Sequence, residues 1–205
     1  MMLTTAILVQ SIQRIAEQVG AIRDRLNDAD AKLGDADTGM TVARMIEAVH
    51  GVVAGLPADV GAALAQCGRE CSRATGSSLG SVIAMGLTAA GRTVRGQEAV
   101  DRVGVTQMLA AATATIEERS GATRGDKTVL DSLFAIYDAL AVPGSSGSLR
   151  QIAVEAADTA LEVFRPREAK LGRARMYGAK SAGLDDPGML AVCLVLAAAR
   201  ERSTT

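Results

Sequence analysis

The chain contains 205 residues, a length that predicts a single domain covering residues 1–205. Hydrophobic residues make up 48% of it and charged residues 22%, but aromatic residues only 2%. The core must therefore consist of aliphatic side chains and Met, which favours packed helices over a β-sandwich and argues against modules that stack nucleic-acid bases on aromatic rings. Lys and Arg number 22 against 23 Asp and Glu, a net charge of −1 that argues against a general binder of phosphate backbones.

Membrane and secretory signals are not visible in the sequence. The longest apolar run, residues 189–199, is shorter than the ~20 residues that a membrane span needs, and residues 1–13 lack the basic and apolar blocks of a secretory signal. Three cysteines without a CxxC pair predict reduced structural thiols, and we therefore expect a cytoplasmic protein. These cysteines are Cys67, Cys71 and Cys193. Because His50 is the single histidine, a metal site is expected to use carboxylates.

Apolar residues recur at helical spacing almost throughout the chain, and no run alternates convincingly with the period of a strand. This pattern predicts an all-α domain of about eight helices joined mostly by short loops. The helical segments cover residues 7–33 with a break at Gly20, 42–53, 60–71, 81–94, 105–116, 129–137, 152–164 and 187–199. One connection stands out, because residues 167–185 are polar and too long for a simple link, which is typical of a functional loop. Asp186 and Pro187 then read as the N-cap and first residue of the last helix.

An acidic motif follows the second predicted helical stretch. Asp30 lies at the end of that stretch, Gly34 permits a turn, and Asp35 and Asp37 stand two apart just before the next helix. Three carboxylates brought together would repel one another unless a divalent cation such as Mg²⁺ or Ca²⁺ binds between them. The spacing is not that of an EF-hand loop. Capping of the following helix by Asp35 and Asp37 explains the motif equally well at this point.

Three further polar, glycine-bearing segments precede predicted helices, where free backbone amides attract phosphate. Each is weak alone, since helix capping explains it about as well, and none is a Walker A loop. They are residues 74–78, 125–128 and 186–188.

Taken together and in this order, the segments resemble the ADP/ATP-binding L subunit of bacterial dihydroxyacetone kinase. The matching motifs are Leu33-Gly34-Asp35-Ala36-Asp37-Thr38-Gly39, Gly125-Asp126-Lys127-Thr128, Lys170-Leu171-Gly172-Arg173-Ala174 and Asp186-Pro187-Gly188. The resemblance spans residues 30–188, and it implies a barrel of antiparallel helices with ADP or ATP held at one end through two Mg²⁺ ions.

The resemblance also implies the roles of individual residues. Asp30, Asp35 and Asp37 would bind the metal ions, and Arg173 would support the phosphates from a loop that covers the nucleotide. The remaining residues would contact the nucleotide; they are Thr38, Gly39, Met40, Thr41, Ala74, Thr75, Ser120, Val129, Asp186, Pro187 and Gly188. This chain departs from the family at Thr38, where His is frequent, at residues 76–78, and at Ser120, where a glycine is expected unless the loop shifts by one residue onto Gly121.

The implied function is phosphoryl transfer to a small ketose held by a separate K subunit. The donor would be ATP, or a bound ADP re-phosphorylated in place by a phosphotransferase-system protein, and the sequence does not decide between them. A kinase subunit for another ketose or polyol such as erythrulose, and a non-catalytic regulatory module, are the alternatives. The nucleotide domain of a fatty-acid kinase is also similar around residues 35–39, but the later motifs favour the dihydroxyacetone kinase branch. A homodimer is expected from the family.

Overall fold

A computed structural model describes residues 2–144 and 146–200 of the chain. Within these ranges the chain forms nine α-helices and two short strands. The α-helices are α1 (Thr5–Glu17), α2 (Val19–Asp30), α3 (Thr38–Val52), α4 (Val60–Ala74), α5 (Ser78–Thr93), α6 (Arg102–Ser120), α7 (Val129–Ala141), α8 (Leu149–Phe164) and α9 (Pro187–Ala198). The strands β1 (Leu3–Thr4) and β2 (Ala99–Val100) pair antiparallel, and 3₁₀ segments occur at Val53–Gly55 and Arg173–Ser181.

Local sequence encodes most of the helix starts. Seven of the described helices begin after a Ser, Thr or Asp side chain that accepts a hydrogen bond from an amide in the first turn. These caps are Thr4, Asp59, Ser77, Asp101, Thr128, Ser148 and Asp186. Each such cap contributes about 1 kcal/mol to helix stability. The predicted start of the last helix is confirmed, since Asp186 caps it and Pro187 occupies its first position.

Helices α2 to α9 form a closed ring. Each packs against the next in sequence, and α9 returns to pack against α2, while α1 lies against α3 and α9. The largest core cluster fills the ring with aliphatic, Met and Cys side chains, as the scarcity of aromatic residues predicts. The all-α prediction is therefore confirmed, and the eight-helix ring agrees with the expected number.

The three cysteines lie inside this packed ring. All are buried and free, and burial raises the pKa of the Cys67 thiol to about 11 and that of Cys71 and Cys193 to about 12. Such thiols stay protonated and unreactive at neutral pH. Their predicted role as small core residues is thereby supported.

Two local predictions differ from the structure. The first helical segment breaks at Gln18 rather than at Gly20, which lies inside α2 where a Cβ atom would have no neighbour within 4 Å, so the helix tolerates the glycine. The paired strands were not predicted, because two residues are too few to show an alternating pattern. In the loop after α7, Ser145 lies outside the described residues.

Six of the helices have one end at the same end of the ring. The C-terminal ends of α2 and α6 and the N-terminal ends of α3, α5, α7 and α9 all line one cavity. Consecutive helices of the ring therefore run in opposite directions. Over residues 2–144 and 146–200, no helix combines the length and the apolar character that crossing a membrane requires.

Candidate functional site

The acidic motif forms a tight loop between α2 and α3. Asp30 is the last residue of α2 and only 5% exposed, and its carboxylate accepts hydrogen bonds from the amides of Asp37 (2.9 Å) and Thr38 (3.1 Å). This buried carboxylate ties the loop to the start of α3. Asp35 and Asp37 are exposed, and one carboxylate oxygen from each of the three residues lies within 4.8 Å of the others.

The chemistry of this cluster fits a divalent cation better than helix capping. Asp37 occupies the N-cap position of α3, yet its side chain makes no capping hydrogen bond. Three carboxylates this close repel one another, and positive charge between them relieves the repulsion. In the structure that charge comes from the Arg173 guanidinium, which pairs with both Asp35 and Asp37. Oxygen-only ligands with room for phosphate oxygens and water are typical of Mg²⁺.

Two glycines make the tight loop possible. A Cβ atom at Gly34 would lie 2.3 Å from Oδ1 of Asp30, and one at Gly39 would lie 2.0 Å from the carbonyl oxygen of Arg23. The Gly39 amide donates to Oδ1 of Asn27 at 2.8 Å. Asn27 and Asp30, one turn apart on α2, therefore hold the first turn of α3 through its amides.

A cavity of about 590 Å³ opens beside this loop, within the size range of small-molecule sites. The N-terminal ends of four helices meet in its wall, and each contributes the positive end of its dipole. Four such ends facing two carboxylates of the acidic cluster suit a ligand that carries both phosphate groups and a divalent cation.

Most of the predicted binding residues line this cavity. They are Asp30, Asp37, Thr38, Thr41, Ser120, Val129, Arg173, Asp186, Pro187 and Gly188. Asp35 faces Arg173 beside it, Gly39 packs against α2, and Met40 is exposed on α3. The structure thus brings together residues 158 positions apart in the chain, from Asp30 to Gly188.

The predicted phosphate loop at Ala74 and Thr75 lies just before a part of the cavity wall, and its role stays a prediction. This part of the cavity wall consists of Gly76, Ser77 and Ser78, whereas Ala74 and Thr75 precede it. The Thr75 hydroxyl accepts a hydrogen bond from the Ser77 amide at 3.1 Å, and Ser77 caps α5. The wall is therefore displaced toward the serines, because Thr75 is used to shape the turn.

At the end of α6 the structure distinguishes Ser120 from Gly121. Ser120 lines the cavity, and its hydroxyl donates to the carbonyl of Ile116 at 2.6 Å. Gly121 has a φ of 70° and ends the helix in the left-handed conformation, which favours glycine. Gly121 therefore has a structural role in ending α6, while Ser120 lines the cavity.

Burial changes the acidity of one carboxyl in the cavity wall. It raises the pKa of Asp186 to about 6, while the Met189 amide and the positive charge of Lys127 act in the opposite direction. The residue as a whole is partly exposed at the cavity.

Three residues near the site were not singled out for these contacts by sequence reasoning. Arg119 lines the cavity from the last turn of α6, Asn27 braces α3, and Lys127 is buried beneath the polar loop after α8. A basic residue in a last helical turn and a polar residue on a helix are common on any surface. Only their placement in space distinguishes them.

One known protein family matches most of this chain. Residues 32–201 match the DAK2 domain, and this range includes two of the three clustered carboxylates and the whole cavity wall from Leu33 onward. The chain belongs to the DAK2 domain family. The resemblance inferred from the motifs is thereby confirmed.

The similar proteins fall into two groups by length. The ADP-binding subunit DhaL of the PEP-dependent dihydroxyacetone kinase of Escherichia coli is 24% identical over 96% of both chains. The DhaL subunit of such a kinase in Listeria innocua is 28% identical over 87% of both chains. By contrast, the L-erythrulose 1-kinase of Mycolicibacterium smegmatis is 31% identical over 67% of this chain but only 24% of its own length. This chain spans about a third of the first relatives it matches, such as the rat triokinase/FMN cyclase, at 34%.

Solved structures agree with the fold. The dihydroxyacetone kinase of C. freundii in complex with AMP-PNP and Mg²⁺ matches with a TM-score of 0.73 and 25% identity, covering 97% of this chain and 34% of that one. The native form of the same kinase matches with the same TM-score. An all-helical DAK2 domain is therefore the architecture on which the candidate site is built.

Proposed function

We propose that this DAK2 domain protein is the nucleotide-binding subunit of a kinase for dihydroxyacetone or a similar small ketose. The observation that carries the proposal is the meeting, at one cavity, of four helix N-termini and two carboxylates of the three-carboxylate cluster. The ADP-binding subunits of similar length and the matched kinase structure with AMP-PNP and Mg²⁺ support it.

Within this proposal the carboxylates of Asp30, Asp35 and Asp37 hold Mg²⁺, two ions being expected from the family. When bound, Mg²⁺ neutralises the charge of the phosphate groups. The helix N-termini orient the phosphates, Val129 contacts the adenine, and Arg173 exchanges its carboxylate partners for phosphate oxygens. Positioning and charge neutralisation suffice for phosphoryl transfer, so the single His50, which is exposed on α3, is not required.

The proposal extends to partners. A ketose-binding K subunit would supply the acceptor, as the resemblance to the ADP-binding DhaL subunits of dihydroxyacetone kinases implies. ATP or a phosphotransferase-system protein would supply the phosphoryl group, and we expect the pair to act in the cytoplasm with the L-type chain as a homodimer. An L-erythrulose 1-kinase among the relatives makes erythrulose the second candidate acceptor.

The decisive experiment is calorimetric titration of the chain with ADP, with and without Mg²⁺. We expect Mg²⁺-dependent binding that Asp30→Ala and Asp37→Ala abolish, since each removes a carboxylate from the cluster. Arg44→Ala is the matched control, because this exposed charge lies on α3 and is not part of the cavity wall. Binding that ignores both Mg²⁺ and Asp30 would refute the site.

A second experiment addresses the acceptor and the regulatory alternative. The chain is combined with K-type subunits, and phosphorylation of dihydroxyacetone and of erythrulose is measured with ATP and with a phosphorylated phosphotransferase-system donor. Turnover lost in Asp37→Ala supports a kinase subunit. Mg²⁺-dependent ADP binding without turnover in any combination favours a regulatory module.

A further inference from the structure

Lys127 is the largest fully buried side chain among the described residues, only 1% exposed, and its backbone has a φ of 62°. Positive φ is uncommon for a residue with a side chain, so the surrounding structure must hold Lys127 in place. The Lys-Thr pair of this motif superficially resembles a phosphate-binding loop. The geometry excludes that role, since the ammonium group is buried away from the cavity wall.

The ammonium group of Lys127 instead binds the polar loop between α8 and α9. Its Nζ atom donates to the carbonyl oxygens of Arg165 (3.1 Å), Arg167 (2.8 Å) and Ser181 (2.8 Å). An ammonium has three donors, so all of them are used. We call residues 165–181 the lid; Lys127 joins its two ends across 16 residues of sequence.

Further contacts fasten the same two ends. The Ser181 hydroxyl accepts from the Ala169 amide at 2.9 Å and donates to the Gly178 carbonyl at 2.6 Å, and the Lys170 amide donates to the carbonyl of Asp126, next to Lys127. Between these ends the lid carries Arg173, which pairs with Asp35 and Asp37 of the acidic cluster. The lid therefore has a fastened base and a charged tip over the site.

A buried ammonium is costly, and burial lowers the pKa of Lys127. A smaller or apolar side chain would remove the donor that these three carbonyls share: the Arg165 carbonyl would keep only the Gly183 amide (2.8 Å) and the Ser181 carbonyl only the Leu184 amide (3.4 Å). The ammonium group, with three donors on a four-carbon stem, reaches carbonyls from both ends of the lid at once. The buried positive charge of Lys127 therefore serves to hold the two ends of the lid together.

We propose that Lys127 is a positioning residue, which closes the base of the lid and thereby holds Arg173 over the acidic cluster and the nucleotide phosphates. The inference rests on the proposed nucleotide site and deepens it. Lys127 touches neither nucleotide nor metal in this view; it acts through Arg173.

The test compares Mg²⁺·ADP affinity by calorimetry in Lys127→Met, Arg173→Ala and the double variant. Met keeps the approximate length of the stem and the backbone strain, and removes the three donors together with their charge. We expect Lys127→Met to weaken binding about tenfold in the parent chain but less than about twofold in the Arg173→Ala background, since a residue that acts through Arg173 loses its effect with it.

Arg102→Met is the matched control. Arg102 also donates to three backbone carbonyls, those of Ala139, Leu140 and Val142, at the far end of the 13-residue helix α7, about 20 Å from Val129. It should lower the unfolding temperature while leaving ADP affinity within about twofold. Amide hydrogen exchange supplies the second readout: exchange in the lid should accelerate in Lys127→Met and stay unchanged in Arg102→Met.

The outcomes separate the two proposals. Equal weakening by Lys127→Met with and without Arg173 overturns the positioning role, as does unchanged exchange in the lid. Failure of the parent chain to bind Mg²⁺·ADP refutes the nucleotide site instead, and the exchange comparison then still decides whether Lys127 holds the lid. If Lys127→Met does not fold, Lys127→Gln, which retains two donors, is measured in the same scheme.

Discussion

The substitution Gly34→Ala adds one methyl group to the acidic loop and changes no charge. Its Cβ atom would lie 2.3 Å from Oδ1 of Asp30, so the carboxylate or the loop must move by about 1 Å to reach ordinary contact. The backbone of Gly34 does not have the positive φ that would add its own strain. The effect of the substitution is therefore steric and acts on one buried carboxylate.

The expected cost follows from the two hydrogen bonds that this carboxylate accepts. At 2.9 and 3.1 Å from the amides of Asp37 and Thr38, they would be stretched beyond bonding range by a shift of that size. A hydrogen bond to a charged group contributes about 1.5–3 kcal/mol, so partial loss of both predicts about 2–4 kcal/mol of destabilisation. At about 2 kcal/mol per molar urea, the unfolding midpoint should fall by about 1–2 M.

Urea unfolding followed by circular dichroism without Mg²⁺ measures this, since the chain has no Trp for fluorescence. Gly20→Ala is the matched control: the same methyl group enters α2 where no atom lies within 4 Å, and it should stabilise by up to about 1 kcal/mol. Calorimetry should also show at least tenfold weaker Mg²⁺-dependent ADP binding for Gly34→Ala alone. A wild-type midpoint together with wild-type affinity would refute the reasoning that Asp30 is held in place by this loop.

Three further predictions concern other parts of the molecule. Burial raises the pKa of Asp186 to about 6, so the folded chain binds this proton more tightly than the unfolded chain and loses stability as the pH rises from about 4 to about 6. Asp186→Asn retains the helix cap and should remove this loss. In urea titrations the variant should be about 1–3 kcal/mol more stable than the parent at pH 7.5 and equal to it below pH 4. The three cysteines should not react with a thiol reagent at pH 8 until urea unfolds the chain, when all three should react; rapid reaction of the folded chain would contradict their burial. Asp131→Ala removes the acceptor for the amides of Gly125 (2.6 Å) and Thr128 (2.9 Å) and should lower the free energy of unfolding by about 2–3 kcal/mol. The control Asp138→Ala removes an exposed carboxylate and should lower it by less than about 1 kcal/mol, and the urea midpoints of both variants measure the difference.

Sequence alone determined the class of the fold and the order of the motifs. Helical periodicity, the capping residue Asp186 and the turn at Gly34 are local properties, expressed within a few residues, so they can be recognised without tertiary contacts. The family resemblance then predicted that these weak local motifs form one site, because four motifs in the order of the family are far more specific than any one of them. Ten of the predicted binding residues line the same cavity, as expected if the motifs form one site.

The tertiary structure decided which polar residues share that site and how they are held. The sequence leaves capping and metal binding as equally good explanations of the acidic motif. The structure adds that Asp30 is bonded to two amides and that Asp37 makes no capping bond within the described chain. The place of Ser77 and Ser78 in the wall, and the burial of Lys127 between both ends of the lid, depend on contacts between segments far apart in sequence. Composition and spacing report which groups a chain possesses, whereas their partners, burial and charge environment arise only when the ring of helices closes.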